Sequence, residues 1–249
     1  MPNPLIRVAP NGARRTKLDH PEIPMTPSEI VSTARACVLA GADALHLHVR
    51  DESGAHSLDV GRYRETLTEL SVNLPELPVQ VTTEAAGVFD VATQLECLQQ
   101  LEPKWASISV YEINRDPDLA ASVYAACDAQ GTQVQHILYG KEDIDLFHNW
   151  LANGTIKPDQ NSVLLVLGRY TKSQESDPAS IAPMLASLER VSRWMVCAFG
   201  ANEHACLLAA AHLGADVRVG FENSLVNRDG LTHLDNAASV AALRRALHH

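Results

Sequence analysis

Leu39-Ala40-Gly41-Ala42-Asp43-Ala44-Leu45-His46-Leu47-His48-Val49 reads as a helix end running into a strand. Gly41 stands where a helix stops in a left-handed turn, and apolar residues then alternate with histidines at strand period. A near copy, His212-Leu213-Gly214-Ala215-Asp216-Val217-Arg218-Val219, recurs toward the other end of the chain. The same rhythm fills the interval. Eight strand-like runs appear, at Leu5–Ala9, Ala44–Val49, Val79–Thr83, Trp105–Val110, Thr132–Leu138, Ser162–Leu167, Arg193–Ala198 and Asp216–Val219, with helical periodicity between them. Helix starts are marked by Thr26-Pro27-Ser28-Glu29, Asp116-Pro117 and Asp177-Pro178, and helix stops by Gly41, Gly131 and Gly214. Strand starts recur about every 30 residues, the size of one βα unit. Eight such units predict an α/β chain folded as one closed (β/α)8 TIM barrel, a single domain over residues 1–249. An open doubly wound sheet fits less well, because Gly12 is alone after the first strand and no GxGxxG follows.

Composition narrows the functional classes. Hydrophobic residues make up 46% and charged residues 20%, enough to bury a large core and too balanced for disorder. The formal net charge of −10 argues against nucleic acid, whose phosphates need a basic face, but leaves room for a small anionic substrate held by a few arginines. The five cysteines, Cys37, Cys97, Cys127, Cys197 and Cys206, form no CxxC pair. They read as buried thiols in a reducing cytoplasm. No secretory leader and no stretch of 18 apolar residues is evident, so a membrane location is not expected.

In such barrels chemistry sits at the C-terminal strand ends. His46 and His48, two apart, share a strand face opposite Leu45, Leu47 and Val49, so both imidazoles are expected to point into the barrel near its mouth. Glu222 lies on the inward parity of the last strand, with Arg218 and Gly220, and the first and last strands are neighbours in a closed barrel. Two His and one carboxylate leave a position for water or substrate, as in catalytic zinc sites, although manganese or iron would also accept this set. His136, ending the fifth strand, is a candidate fourth ligand or general acid or base. An inward Arg218 calls for a carboxylate or a substrate anion, which its guanidinium would bind in bidentate fashion. Thr82, Thr83, Ser107 and Ser109 offer hydroxyls at strand ends, and Arg14 follows Asn11-Gly12-Ala13 in the first loop, to meet an anion or solvent. The histidines at 20, 56, 148, 204, 212 and 233 read as surface or packing residues, and His248-His249 as a tail.

These phrases resemble one family, the beta-keto acid cleavage enzymes. The resemblance rests on Asn11-Gly12-Ala13, His46-Leu-His-Val-Arg-Asp51, Val81-Thr-Thr83, Ala106-Ser-Ile-Ser109 and Val217-Arg-Val-Gly-Phe-Glu-Asn223, and extends to Asp229-Gly230 and Asp235-Asn-Ala237. It implies a zinc barrel, commonly a homotetramer, that condenses a β-keto acid with acetyl-CoA and releases acetoacetate and a new acyl-CoA. By position, His46, His48 and Glu222 would hold the metal, and Arg218 would belong to the base dyad or hold the substrate carboxylate. Three positions depart from the family pattern. Arg14 stands where an acidic residue is frequent, Asn223 replaces an Asp that partners the base, and Glu84 replaces a glycine. An amide cannot accept a proton as a carboxylate does. Asn223 is therefore left as a substrate contact, and Glu84 either supplies the missing carboxylate or marks a different substrate. A CoA-independent metal lyase or aldolase, a non-catalytic carboxylate sensor and a metal hydrolase are the competing readings.

Overall fold

The computed structural model describes residues 3–171, 173–189, 191 and 193–248. His249 lies outside them, and His248 ends the last helix. In chain order the strands are β1 (Ile6–Val8), β2 (Ala44–Leu47), β3 (Val49–Arg50), β4 (His56–Ser57), β5 (Val79–Thr82), β6 (Trp105–Ser109), β7 (Gln133–Leu138), β8 (Ser162–Leu167), β9 (Arg193–Ala198) and β10 (Asp216–Val219). The helices are α1 (Pro27–Leu39), α2 (Val60–Asn73), α3 (Val91–Leu101), α4 (Val110–Ile113), α5 (Pro117–Gln130), α6 (Lys141–Ala152), α7 (Ile181–Ala186), α8 (Glu203–His212) and α9 (Asn236–Leu247).

Eight strands close a parallel barrel in the order β1-β10-β9-β8-β7-β6-β5-β2. Closure runs through Ile6 against Val217 and Val8 against Val219, so the first and last barrel strands are neighbours. The capping signals act as their chemistry requires. Thr26 and Glu29 form a reciprocal capping box on α1, and Asp116-Pro117 opens α5. Gly131 ends α5 in the left-handed region. Asp177-Pro178 opens a single 3-10 turn that leads into α7.

Five of the eight expected strands are trimmed at one or both ends, and at two of them a side chain supplies the reason. The second strand stops at Leu47, and Val49–Arg50 turn aside to pair antiparallel with β4. The cause is Arg50, whose buried guanidinium gathers the carbonyls of Asn11 at 3.2 Å, Arg15 at 2.9 Å, Gly54 at 2.8 Å and also Gly12. It thereby fastens the first loop across the mouth. Val110 begins α4 rather than ending a strand, because Ser109 Oγ accepts the Glu112 N–H at 3.2 Å and caps that turn.

The outer faces of the strands pack Leu45, Leu47, Val81, Ile108, Leu165, Val196 and Val217 beneath the helices. Inside the barrel the two halves differ. Ile137, Leu164, Val166, Met195, Cys197 and Phe199 form an apolar cluster on one side. The opposite side carries Arg7, His46, Gln80, Gln135 and Arg218, all buried. Arg7 stacks 3.8 Å over Trp105 and donates to Gln80 Oε1 at 2.7 Å and to Gln135, so this buried charge is held by amide oxygens and forms the floor of the site. Among the described residues no helix is long and apolar enough to cross a membrane.

Candidate metal centre

His46 Nε2, His48 Nε2 and Glu222 Oε2 converge at the C-terminal mouth. The imidazole nitrogens are 3.2 Å apart, and the carboxylate oxygen is 3.6 Å from His46 and 3.3 Å from His48. A tetrahedral ion with bonds of about 2.0–2.1 Å holds its ligand atoms roughly 3.3–3.4 Å apart, so these three atoms already outline a face of one coordination sphere. Glu222 Oε2 is buried and has no hydrogen-bond partner, as an oxygen reserved for a cation would be. Behind it, His46 Nδ1 lies 3.0 Å from Gln80 Oε1. That contact makes Nδ1 the donor and leaves the Nε2 lone pair aimed at the centre. Donor set, spacing and orphaned oxygen together fit a divalent metal.

The charges suit the same role. Burial lowers the His46 pKa well below its ordinary value, and Glu222 only partly opposes this, so the ring is neutral. Burial works against ionisation of Glu222, but Arg218 and the two imidazoles outweigh it and hold the carboxyl well below the usual range. Arg218 Nη2 donates to Glu222 Oε1 at 2.9 Å, leaving Oε2 for the centre. Gly12 makes this packing possible, since a Cβ there would lie 2.5 Å from Glu222 Cγ, and its φ of +61° is one that glycine adopts freely.

Above the three donors the mouth divides into two small lobes. One is lined by His46, Thr82, Ser109, Glu112, Tyr139 and Arg218, among others, and the second, a cavity of about 100 Å³, by Arg14, Arg15, Gln174 and the first loop. Glu84, Arg169, Phe199 and Glu222 border both. Glu84 Oε1 accepts from Arg14 and Arg169, each at 3.0 Å, while its Oε2 is 3.9 Å from His48 Nε2. Burial raises the Glu84 pKa above the ordinary carboxylate value despite His48 and Arg14 nearby.

Other expected site residues are not at the mouth. His136 shares a face with Val134 and Leu138, packs against Tyr124 and Phe147, and sits 2.8 Å from the Gln160 carbonyl. It therefore faces the helices, which corrects its expected role as ligand or acid–base. Thr83 has the parity of Val81 and lines neither lobe. Ser107 lies deeper, with Oγ 3.5 Å from the Val81 carbonyl. Asn223, expected as a substrate contact, is fully buried next to Glu222 and lines neither lobe, and its side-chain oxygen and nitrogen have no hydrogen-bond partner among the described residues.

Arg169, Glu112, Gln80 and His56 were missed. Arg169 follows the sixth barrel strand by two residues, so the strand-end rule that picked out the histidines points to it as well. Glu112 accepts from Ala85 N at 2.8 Å and Gln94 Nε2 at 3.0 Å, and burial, opposed by those contacts, raises its pKa to about 7. His56, expected as a surface or packing residue, is buried on β4 with its ring 5.1 Å from that of His48.

Comparison with known proteins identifies the family. The family model described as beta-keto acid cleavage enzyme matches residues 4–249. A 3-keto-5-aminohexanoate cleavage enzyme of Fusobacterium nucleatum is 26% identical over 97% of this chain and 90% of its own length. A 3,5-dioxohexanoate:acetyl-CoA acetone transferase of Paraburkholderia graminis is 24% identical over 98% and 89%. Among solved structures, the apo structure of ObcA superposes with a TM-score of 0.72 at 16% identity, over 91% of this chain and 62% of that longer one, which bears on the fold alone.

Proposed function

Because the chain belongs to the beta-keto acid cleavage enzyme family, we propose that it cleaves a β-keto acid with acetyl-CoA at the mouth of the barrel, releasing acetoacetate and a new acyl-CoA. The observation that carries the site assignment is the convergence of His46, His48 and Glu222, the last of them hydrogen-bonded to Arg218.

His46, His48 and Glu222 would hold the ion, and we take it to be zinc. When bound, the ion supplies Lewis-acid polarisation of the 3-oxo group. The remaining work falls to side chains of the mouth. The hydroxyls of Thr82 and Ser109 and the guanidinium of Arg218 hold the carboxylate of the acid in the lobe that they line. Glu84 takes the place of the base partner lost at Asn223. Its Oε1 is tied to Arg14 and Arg169, so Oε2 is the atom that accepts a proton from C2. Burial moves its pKa toward the working pH, where a carboxylate is a more effective base. The C2 carbanion attacks the thioester carbonyl of acetyl-CoA. The CoA thiolate released there adds to the 3-oxo carbon, the C2–C3 bond breaks with its electron pair left on C2, and Glu84 returns its proton to that carbon, so acetoacetate and acyl-CoA leave with the base restored.

The five cysteines are buried and unpaired, which supports a cytoplasmic setting. Leu18, Leu231 and Leu234, exposed by 99%, 66% and 78%, support a homo-oligomer. The direct test is acyl-CoA formation from a panel of β-keto acids by zinc-loaded protein, with and without acetyl-CoA. Acetoacetate and acyl-CoA should appear together, vanish in His46→Ala, and fall sharply in Glu84→Gln with metal content unchanged. Turnover without acetyl-CoA would overturn the reading in favour of a lyase.

A further inference from the structure

The second lobe holds guanidinium N–H groups beyond those that position Glu84. The two lobes are lined by four arginines, Arg14, Arg15, Arg169 and Arg218, against three carboxylates, Glu84, Glu112 and Glu222, before any metal ion is counted. The chain as a whole has the opposite balance, 20 Lys and Arg against 30 Asp and Glu. Positive charge is therefore concentrated at the mouth. Arg14 and Arg169 spend one N–H each on the same oxygen of Glu84. A guanidinium has five N–H donors, and among the described residues neither arginine makes a further hydrogen bond. Arg169 is also held in place, 5.0 Å over the Phe199 ring and 12% exposed, whereas Arg14 is half exposed at the rim.

We propose that Arg169, with Arg14, forms a subsite for a second anionic group, so that the acid taken by this enzyme is a dicarboxylic β-keto acid with its far carboxylate in the second lobe. The inference rests on reading the mouth as a β-keto acid site. Its geometry is the shared wall. Because Glu84, Arg169 and Glu222 border both lobes, one extended molecule spans them, with its 3-oxo acid end at the metal donors and its far end at the arginines. A cationic tail, such as the amine of the aminohexanoate in one relative's name, would meet two arginines whose shared carboxylate oxygen already accepts from both. A plain alkyl tail would leave the spare guanidinium N–H groups without acceptors.

The test compares 3-oxoadipate, 3-oxohexanoate and 3-keto-5-aminohexanoate as substrates of the zinc-loaded enzyme. Binding of the unreactive acids adipate and hexanoate is measured alongside by calorimetry. The wild type should favour 3-oxoadipate by kcat/KM. Arg169→Gln should lower the ratio of 3-oxoadipate to 3-oxohexanoate by about 10- to 100-fold, the range for loss of one charge-assisted hydrogen bond, and should weaken adipate but not hexanoate. Arg169→Lys, which keeps the charge, should recover part of the ratio, and Arg14→Gln should lower it less because the side chain is at the rim. Preference for the amino or alkyl acid would overturn the proposal. So would an Arg169→Gln defect that appears in the KM of acetyl-CoA and not in adipate binding, since the arginines would then serve the CoA phosphates. If no acid turns over but adipate binding still depends on Arg169, the anion subsite stands and the cleavage reaction falls.

Discussion

Gly12→Ala tests the metal centre through a residue that carries no ligand. At φ +61° an alanine pays about 1–2 kcal/mol in backbone energy, a cost that alone would lower stability slightly. The larger effect is steric. The added Cβ would stand 2.5 Å from Glu222 Cγ, and ordinary contact begins at 3.4 Å, so the carboxylate must retreat by at least 0.9 Å (3.4 − 2.5). Metal–ligand bonds tolerate about 0.2 Å. Zinc affinity should therefore fall at least 10- to 100-fold, the range seen when a ligand is left misoriented. Gly131→Ala is the control, because it has φ +69° with no atom within 4 Å of its Cβ. It imposes similar backbone strain far from any ligand. Zinc at 100 times its Kd should stabilise the wild type by about 2.7 kcal/mol, or roughly 5–10 °C in Tm for a domain of this size. That increment should disappear with EDTA in the wild type and in Gly131→Ala. In Gly12→Ala at the same zinc concentration the increment should shrink to about 1.4 kcal/mol or less, roughly 3–5 °C at most. A Gly12→Ala protein that binds zinc within about threefold of wild type, by competition with a chromogenic chelator, would refute the reasoning.

Gln80→Leu removes the acceptor of His46 Nδ1 and should weaken zinc about 10- to 100-fold in the same competition assay, with the coordinating atoms untouched. His136→Ala should lose about 2–4 kcal/mol in urea unfolding, as a cavity forms against Tyr124 and Phe147, yet keep full metal content; loss of the metal would return His136 to the site. Burial raises Glu112 from 4.5 to about 7, so its folded pKa exceeds its unfolded one. Its contribution is then fully present below about pH 4.5 and is lost as pH rises through 7, up to roughly 3 kcal/mol. Glu112→Gln should show a flatter stability profile between pH 5 and 8 and exceed the wild type at pH 8. Parallel profiles for the two proteins would remove Glu112 as the cause.

How far local pattern reached can be traced residue by residue. Strand period and helix punctuation were enough for the closed barrel, because the barrel strands are largely buried on both faces and helices such as α1, α5 and α9 carry start or stop chemistry of their own. Parity alone placed His46 opposite Leu45 and Leu47. The same parity, applied to His136 beside Val134 and Leu138 or to Thr83 beside Val81, would have put both on the helix side. Those two misplacements came from reading position along the strand without its face. The turn of Val49–Arg50 away from the sheet was beyond such reasoning, since it depends on carbonyls brought to Arg50 from the first loop. So was the cationic lobe. Arg14, Glu84 and Arg169 are 70 and 85 residues apart in sequence and meet only where three loops cross the mouth. The sequence by itself determined the fold and the two-histidine, one-carboxylate set, because periodicity is a local property that each segment carries alone. Only the tertiary structure decided which charges face one another, because electrostatic partnership depends on distance in space, and barrel closure sets that distance without regard to chain separation.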